Sequence, residues 1–437
     1  MIDSTHMRIF LLGMSGIGMQ ALAKIAQQSG YEVSGNDDSL PIQALIESGI
    51  TYQNTIPEDT DYIVYSSAIK ESHPLMITAR ERNIPCINRT DFLTDYIQFN
   101  PQKILIAGAH GKTTTTCMLA YILGMKSYAI GGMVNGYKFS GNNELDEFTA
   151  IETDESDGSF IKWKGSYKIL LNADYEHMDF FETEVNALKY YRNFAIRDIE
   201  TTKLIIEAEC KKFLALENHP NMIIYAENGK HDCHFSYSNI TCKPDGLYFD
   251  IINHIAKLTL PIFLPLFGKH NASNFTALYA LHANLGMTHE EIATKIAKFP
   301  GAKKRMYKIK TENGFNLYLD YGHHPKEVAA VLNAVWEHKK TRPNVVLEPH
   351  RYSRLQYTWQ QWPEALKGNK VFVVPIHTAS EIPIEGITRE NFVKFLRENN
   401  VDAHLLEDFN QYKMDNETIC FSAGKLSAML EKLVKTR

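Results

Sequence analysis

Ala107-Gly108-Ala109-His110-Gly111-Lys112-Thr113-Thr114-Thr115-Thr116 is the stretch on which the reading of this chain turns. The apolar run Lys103-Ile104-Leu105-Ile106 ahead of it predicts a buried strand, and Met118-Leu119-Ala120-Tyr121-Ile122-Leu123 behind it predicts a helix. A strand, a glycine loop, a Lys-Thr pair and a helix N-terminus together make a phosphate cradle. Backbone N–H groups and the positive helix end face the anion, Lys112 adds charge, and the Thr113 hydroxyl can ligate Mg²⁺. The spacing is Gly108-x-x-Gly111-Lys112-Thr113, with Ile106 standing where the longer G-x-x-x-x-G-K-T loop has its first glycine. The mechanics survive that departure, and the loop predicts binding of a nucleoside triphosphate.

Working outward, the 437 residues exceed one ordinary core, so two or three domains are expected. Hydrophobic residues at 44% and charged residues at 22% are the balance of a globular protein. A net charge of −5 leaves no electrostatic footprint for nucleic acid, and no basic run points to a membrane surface. No apolar stretch approaches the roughly 20 residues that span a bilayer, which predicts no membrane insertion. The six cysteines are scattered without a CxxC, so neither a disulfide framework nor a zinc site is indicated, and a reducing cytoplasm is the expected compartment. Met1 to His6 reads as a leader or cloning remnant ahead of a strand at Met7-Arg8-Ile9-Phe10.

Three blocks of alternating strand and helix follow, which predict doubly wound parallel sheets. The first, residues 7–100, has strands at Arg8–Leu12, Tyr31–Ser34, Tyr62–Tyr65 and Ile84–Ile87 and a helix at Met19–Ser29. The second, residues 101–299, carries the phosphate loop, strands at Thr149–Thr153 and Lys168–Leu171, and a helix at Asn271–Leu285. Its segment Leu247–Leu264 alternates as antiparallel strands outside the main sheet would. The third, residues 300–437, predicts strands at Asn316–Leu319, Asn344–Leu347, Lys370–Val374 and Thr418–Phe421, with helices at Pro325–His338, Arg389–Glu398 and Lys425–Val434.

Chemistry-bearing residues cluster at predicted strand ends. Gly16-x-Gly18-x-x-Ala21 fits a dinucleotide fingerprint, with Asp37 and Asp38 where a ribose-binding acid would stand, but such a turn takes any diphosphate, including that of a nucleotide-sugar. Ser66-Ser67-Ala68 ends another strand of the same block. Glu152-Thr153-Asp154-Glu155-Ser156-Asp157 holds four carboxylates in six residues, which repel unless a cation compensates. With His177 in Asp174-Tyr175-Glu176-His177-Met178-Asp179 and the Thr113 hydroxyl, they can meet around Mg²⁺ beside the phosphate loop. Asn271 is either a helix N-cap or a donor to a nucleotide. In the third block, Asp320-Tyr321-Gly322-His323-His324-Pro325 and Pro349-His350-Arg351-Tyr352-x-Arg354 end successive strands; a crevice of Arg, His and Tyr suits a carboxylate substrate gripped by bidentate hydrogen bonds. A dehydrogenase using the first turn would leave the Lys112 loop without a task. An NTP-regulated binding protein would leave the His/Arg crevice idle.

Taken together and in this order, GMSGIGM, SSAI, AGAHGKTTTT, ETDESDGSF, NADYEHMD, GKHNASN, GAKKR, DYGHHP and PHRYSR resemble the Mur ligases of bacterial peptidoglycan synthesis, from Met7 nearly to the end of the chain. The resemblance implies three α/β domains: a Rossmann-like N-terminal domain (7–100) for a UDP-sugar, a central P-loop domain (101–299) for ATP and Mg²⁺, and a Rossmann-like C-terminal domain (300–437) for an amino acid. It places Gly13, Ser15, Gly16, Gly18, Asp37 and Ser67 on the UDP-sugar. Gly108, Gly111, Lys112, Thr113, Thr114, His270, Asn271, Asn274, Arg305 and Asp320 would contact ATP. Thr113, Glu152 and His177 would ligate Mg²⁺; Lys112, Glu152, His177 and Arg305 would be catalytic. Tyr321, His323, His350, Arg351 and Arg354 would form the amino-acid pocket. The implied reaction is ATP-driven amide formation between L-alanine and the lactyl carboxylate of UDP-N-acetylmuramate through an acyl phosphate, in a cytoplasmic monomer or homodimer whose partners are small-molecule substrates. The alternative within the family is a recycling ligase that adds a murein tripeptide to UDP-N-acetylmuramate. Ser156-Asp157-Gly158-Ser159-Phe160 and His350-Arg351 favour the first.

Overall fold

A computed structural model describes residues 7–37, 42–144, 146–243, 245–312, 314–379 and 381–435; Met1 to His6 and Asp38 lie outside the described residues. It holds three sheets with helices between their strands. In the first, strands β1 (Arg8–Leu12), β2 (Glu32–Asn36), β3 (Thr51–Tyr52), β4 (Tyr62–Tyr65) and β5 (Cys86–Asn88) run parallel in the order β3-β2-β1-β4-β5. Ile9, Phe10, Leu11 and Leu12 are all buried, as expected of a parallel strand covered on both faces. Leu12 pairs with Asn36 and Tyr65, and Tyr65 with Asn88, so the turns after four strands open at one edge.

The second sheet has ten strands: β6 (Gln102–Ala107), β7 (Ser127–Ala129), β8 (Gly141–Asn143), β9 (Phe148–Glu152), β10 (Tyr167–Leu170), β11 (Lys203–Glu207), β12 (Met222–Glu227), β13 (Phe235–Lys243), β14 (Gly246–Asn253) and β15 (Leu258–Leu264). Their order is β15-β14-β13-β12-β11-β10-β6-β9-β7-β8. The register sets Ile106 opposite Glu152 and Ala107 opposite Leu170, which aligns the phosphate loop with the segments after β9 and β10. The alternating segment Leu247–Leu264 does form strands, but within this sheet rather than outside it. The link is β13, which pairs parallel with β12 through Phe235, Ser236 and Tyr237.

The third sheet contains β16 (Tyr307–Glu312), β17 (Phe315–Asp320), β18 (Asn344–Leu347), β19 (Lys370–Val373), β20 (Asp402–Leu405) and β21 (Thr418–Phe421) in the order β16-β17-β21-β18-β19-β20. All pairs are parallel except β16 with β17. Asp320 and Leu347 both pair with Phe421, and Leu347 with Val373.

The chain packs into two compact units, one of Met1–Asn239, Phe249–Phe263 and Ser273–Gly301, the other of Ile240–Tyr248, Leu264–Ala272 and Ala302–Arg437. Within the first, one apolar core runs from Ile9, Leu22 and Phe92 on to Leu105, Ile151 and Phe160, so the first two blocks of alternation share a core. Gly141 allows that contact, since a Cβ there would fall 2.7 Å from Ala21 O. Ser140 donates to Ile17 O at 2.9 Å, and Gln28 pairs with Asn142 and with Asn143 N. The second unit has its own core around Val328, Val345, Val371, Phe392 and Phe421. Among the described residues no helix is long and apolar enough to cross a membrane.

Candidate active site

The loop after β6 turns on Gly108 and Gly111, both at positive φ (145° and 85°), a conformation that glycine adopts without a Cβ penalty. Gly111 caps the helix Lys112–Ile122, and a Cβ on it would lie 2.8 Å from Asn274 Oδ1, so that amide sits directly against the loop. Asn172, just past β10, accepts from His110 N at 2.8 Å and donates to His110 O at 2.9 Å, which fixes the loop from the other side. Lys112 Nζ donates to Gly108 O (2.6 Å) and to Glu155 Oε1 (2.7 Å). The helix leaves its first-turn N–H groups without a side-chain cap, which is how an anion-binding helix end is built.

The acidic run after β9 divides its work. Glu152 accepts from Thr113 Oγ1 and from Gly131 N, both at 2.7 Å, while burial raises its carboxyl above the usual range. Glu155 is the carboxylate that meets Lys112. Burial pushes its carboxyl up to about 7 against the pull of Lys112, and His177 Nε2 lies 3.6 Å from Oε1. Glu155, Glu176 and His177 each offer a ligand atom within 4.8 Å of the others. The family resemblance names Thr113, Glu152 and His177 for the metal; Thr113 Oγ1 meets Glu152 at 2.7 Å, and His177 stands 3.6 Å from Glu155. His110 stands 3.5 Å from Asp174 and 3.6 Å from Glu176, extending the charged network.

At the first sheet, Gly13 (φ 81°) and Ser15 begin the turn after β1, and Ser15 N donates to Asp37 Oδ2 at 2.8 Å. Asp37 therefore orders the glycine turn itself. Gly16 caps the helix Ile17–Gln28, with Gly18 in its first turn, and Ser67 stands exposed after β4.

The second unit gathers the third-block residues. Asp320, 2% exposed, accepts from Met306 N and Gly322 N at 2.8 Å each; burial raises its carboxyl, opposed by Arg305. The Arg305 guanidinium stacks over Tyr321 at 5.7 Å. Ring centroids run Tyr321 to His323 (5.5 Å), His323 to His350 (5.5 Å) and His350 to His377 (5.2 Å). Burial pushes His323 down to about 4; burial and then the neighbouring His323 and Arg354 push His350 down to about 2. Neutral imidazoles are thus the resting state, and His350 Nδ1 can accept from Arg354 Nη1 at 2.9 Å. Arg351 pairs instead with Glu381 at 2.7 Å. His270 and Asn271 open the helix His270–Asn284, and Asn271 Nδ2 donates to Phe267 O at 2.7 Å.

Sequence reasoning passed over Asn172, His377 and Glu348. His377 follows β19 as His323 follows β17, and its aligned strand end was the available signal. Glu348 is buried and accepts from Gly424 N and Leu426 N, holding the loop after β21; nothing local in the sequence marks it.

A phosphate loop with a carboxylate–imidazole group beside it, at the end of a parallel α/β sheet, is the arrangement of an enzyme that uses a nucleoside triphosphate. Residues 8–100 match the Mur ligase family catalytic domain and residues 106–282 the Mur ligase middle domain, and the chain belongs to the Mur ligase family. It is 33% identical over 409 residues to the UDP-N-acetylmuramate–L-alanine ligase of Chelativorans sp. strain BNC1, covering 89% of this chain and 87% of that one. Among solved structures it is similar to the UDP-N-acetylmuramate–alanine ligase of Thermotoga maritima (TM-score 0.81, 21% identity, 99% of each chain). It is also similar to a murein peptide ligase from Psychrobacter arcticus (TM-score 0.73, 20% identity, 98% of each chain). At these identities the two structures speak for the fold.

Proposed function

We propose that this chain is a cytoplasmic, ATP-dependent ligase that joins L-alanine to the lactyl carboxylate of UDP-N-acetylmuramate, a step of peptidoglycan precursor synthesis. The observation that carries the reading is the convergence of Lys112, Glu155, Glu176 and His177 at the aligned ends of β6, β9 and β10. The relatives' name supplies the substrates. Residues 7–100 hold the UDP-sugar, with Gly13, Ser15, Gly16, Gly18 and Ser67 on it and Asp37 ordering the turn. Residues 101–299 hold ATP on Gly108, Gly111, Lys112, Thr113 and Thr114, with Asn274 against the loop. His270, Asn271, Arg305 and Asp320 complete the nucleotide contacts. Residues 300–437 hold the amino acid on Tyr321, His323, His350, Arg351 and Arg354.

Two carboxylates and an imidazole fit a divalent cation, and the raised Glu155 carboxyl is the kind of group that a cation would hold ionised. Glu155, Glu176 and His177, with Thr113 and Glu152 adjoining, are the residues to hold Mg²⁺, which when bound neutralises phosphate charge. The lactyl carboxylate oxygen attacks the γ-phosphorus and ADP leaves. The free amine of alanine attacks the acyl carbon, and the tetrahedral intermediate expels phosphate as the nitrogen loses its proton. Lys112 stabilises the charge on the transferring group, so catalysis is positioning and electrostatics rather than covalent chemistry by the protein.

The acyl phosphate is tested by labelling the lactyl carboxylate with ¹⁸O and analysing the phosphate by mass spectrometry. Label carried into the phosphate is expected. Unlabelled phosphate alongside amide product would overturn the acyl-phosphate route.

A further inference from the structure

Glu348 immediately follows β18 and is only 4% exposed, yet among the described residues no lysine or arginine pairs with it. Its partners are hydrogen-bond donors. Oε2 accepts from Ser422 Oγ and from Gly424 N at 3.1 Å, and Oε1 accepts from Leu426 N at 3.0 Å. Leu426 lies in the first turn of the helix Lys425–Lys435, whose positive end favours an acid there. Burying a carboxyl group is costly unless its oxygens find donors. A glutamine of the same size would turn its NH₂ group against one of these donors.

What this carboxyl group fixes reaches the histidine row. A Cβ on Gly424 would lie 2.4 Å from His377 Cγ and 2.8 Å from Glu348 Oε2, so ring and carboxyl group meet over that one residue. Gly424 is not among the glycines at positive φ, so what its missing side chain provides is room for the ring. His377 N donates to Pro349 O and His377 O accepts from Arg351 N, both at 2.8 Å, which ties the segment after β19 to the residues next to Glu348. The Nδ1 atom of His377 is buried and makes no hydrogen bond among the described residues, so packing on Gly424 and on His350 sets the ring. His350 in turn meets Arg354 Nη1 at 2.9 Å. Beside it Arg351 has a φ of 69°, a conformation that a residue with a side chain holds only where its surroundings over-determine it.

We infer that Glu348 is a positioning residue for the amino-acid pocket: through the turn at residues 422–426 and the His377 ring, it holds His350 and Arg354 in place for the amino-acid carboxylate. This rests on the substrate reading above. Glu348 itself touches no substrate.

The test is steady-state kinetics of amide formation by wild type, Glu348→Gln and Gly424→Ala, with each substrate varied in turn and thermal midpoints measured alongside. Glu348→Gln is expected to raise KM for L-alanine about 10-fold, the scale of a misplaced charge-assisted contact, with KM for ATP and for UDP-N-acetylmuramate within about twofold. Gly424→Ala leaves the partners of Glu348 in place and displaces the His377 ring, so it should raise the same KM about three- to tenfold. A lowered thermal midpoint with all three KM values unchanged in both variants would show a purely structural role and overturns the inference. A rise shared equally by ATP and L-alanine overturns it too. Should Glu348→Gln fail to fold, Gly424→Ala decides alone, and an unchanged KM for L-alanine there overturns the inference. Wild type that turns over no amino acid overturns both the inference and the substrate reading.

Discussion

The edge formed by β6, β9 and β10 and the edge formed by β17, β18 and β19 are built alike and furnished with different side chains. Each is a set of parallel strands whose carboxyl ends stand in register, so each collects the loops that follow. The first edge gathers Glu152, Asp154 and Glu155 around Lys112, with Glu176 beside Glu155, and burial lifts Glu155 toward neutrality. The second gathers His323, His350 and His377 beside Arg351 and Arg354, and burial keeps two of the imidazoles neutral. Topology decides where a ligand can sit; the side chains placed there decide its charge. Carboxylates with a lysine suit a metal-bound phosphate, whereas arginines with neutral imidazoles suit a carboxylate.

That contrast can be broken one edge at a time. Lys112→Ala should have the largest effect, about 10³-fold or more in kcat, with binding of the amino acid unchanged; a steady-state comparison of kcat with KM for L-alanine checks it. Arg354→Ala should act on the other edge alone, raising KM for L-alanine about 10- to 100-fold while KM for ATP stays put. A shared rise in both KM values would show that the two edges are not separable in this way.

The smallest effect concerns a histidine on neither edge. His282 lies wholly buried in the helix His270–Asn284, and burial pushes it down to about 3 from 6.5. The unfolded chain therefore binds a proton that the folded chain refuses between about pH 6.5 and 3, and stability falls as pH falls through that window. His282→Leu should flatten this dependence, by about 1.5 kcal/mol between pH 6.5 and 5 in denaturant titrations. An unchanged pH slope would mean that other groups govern acid sensitivity.

Much of this was legible in the chain. Tyr62–Tyr65, Asn344–Leu347, Arg389–Glu398 and Thr418–Phe421 have the bounds that periodicity gives, because each is a short buried or amphipathic run with clear stops. Strand β13 was missed although Phe235-Ser236-Tyr237 and Ile240-Thr241-Cys242 alternate, because the alternation changes phase at Ser238-Asn239. At the site, motifs located the loops but not the partners within them. Glu155 meets Lys112, and Asn172 locks His110, because the register of β6 with its neighbours sets those distances.

The most direct test of the account is phosphate release from ATP with Mg²⁺ and UDP-N-acetylmuramate, offered L-alanine, other amino acids or a murein tripeptide in parallel. Phosphate released with L-alanine in step with amide formation, and lost in Lys112→Ala, is the predicted result. Release driven by the tripeptide instead, or silence with every amine, would contradict the assignment.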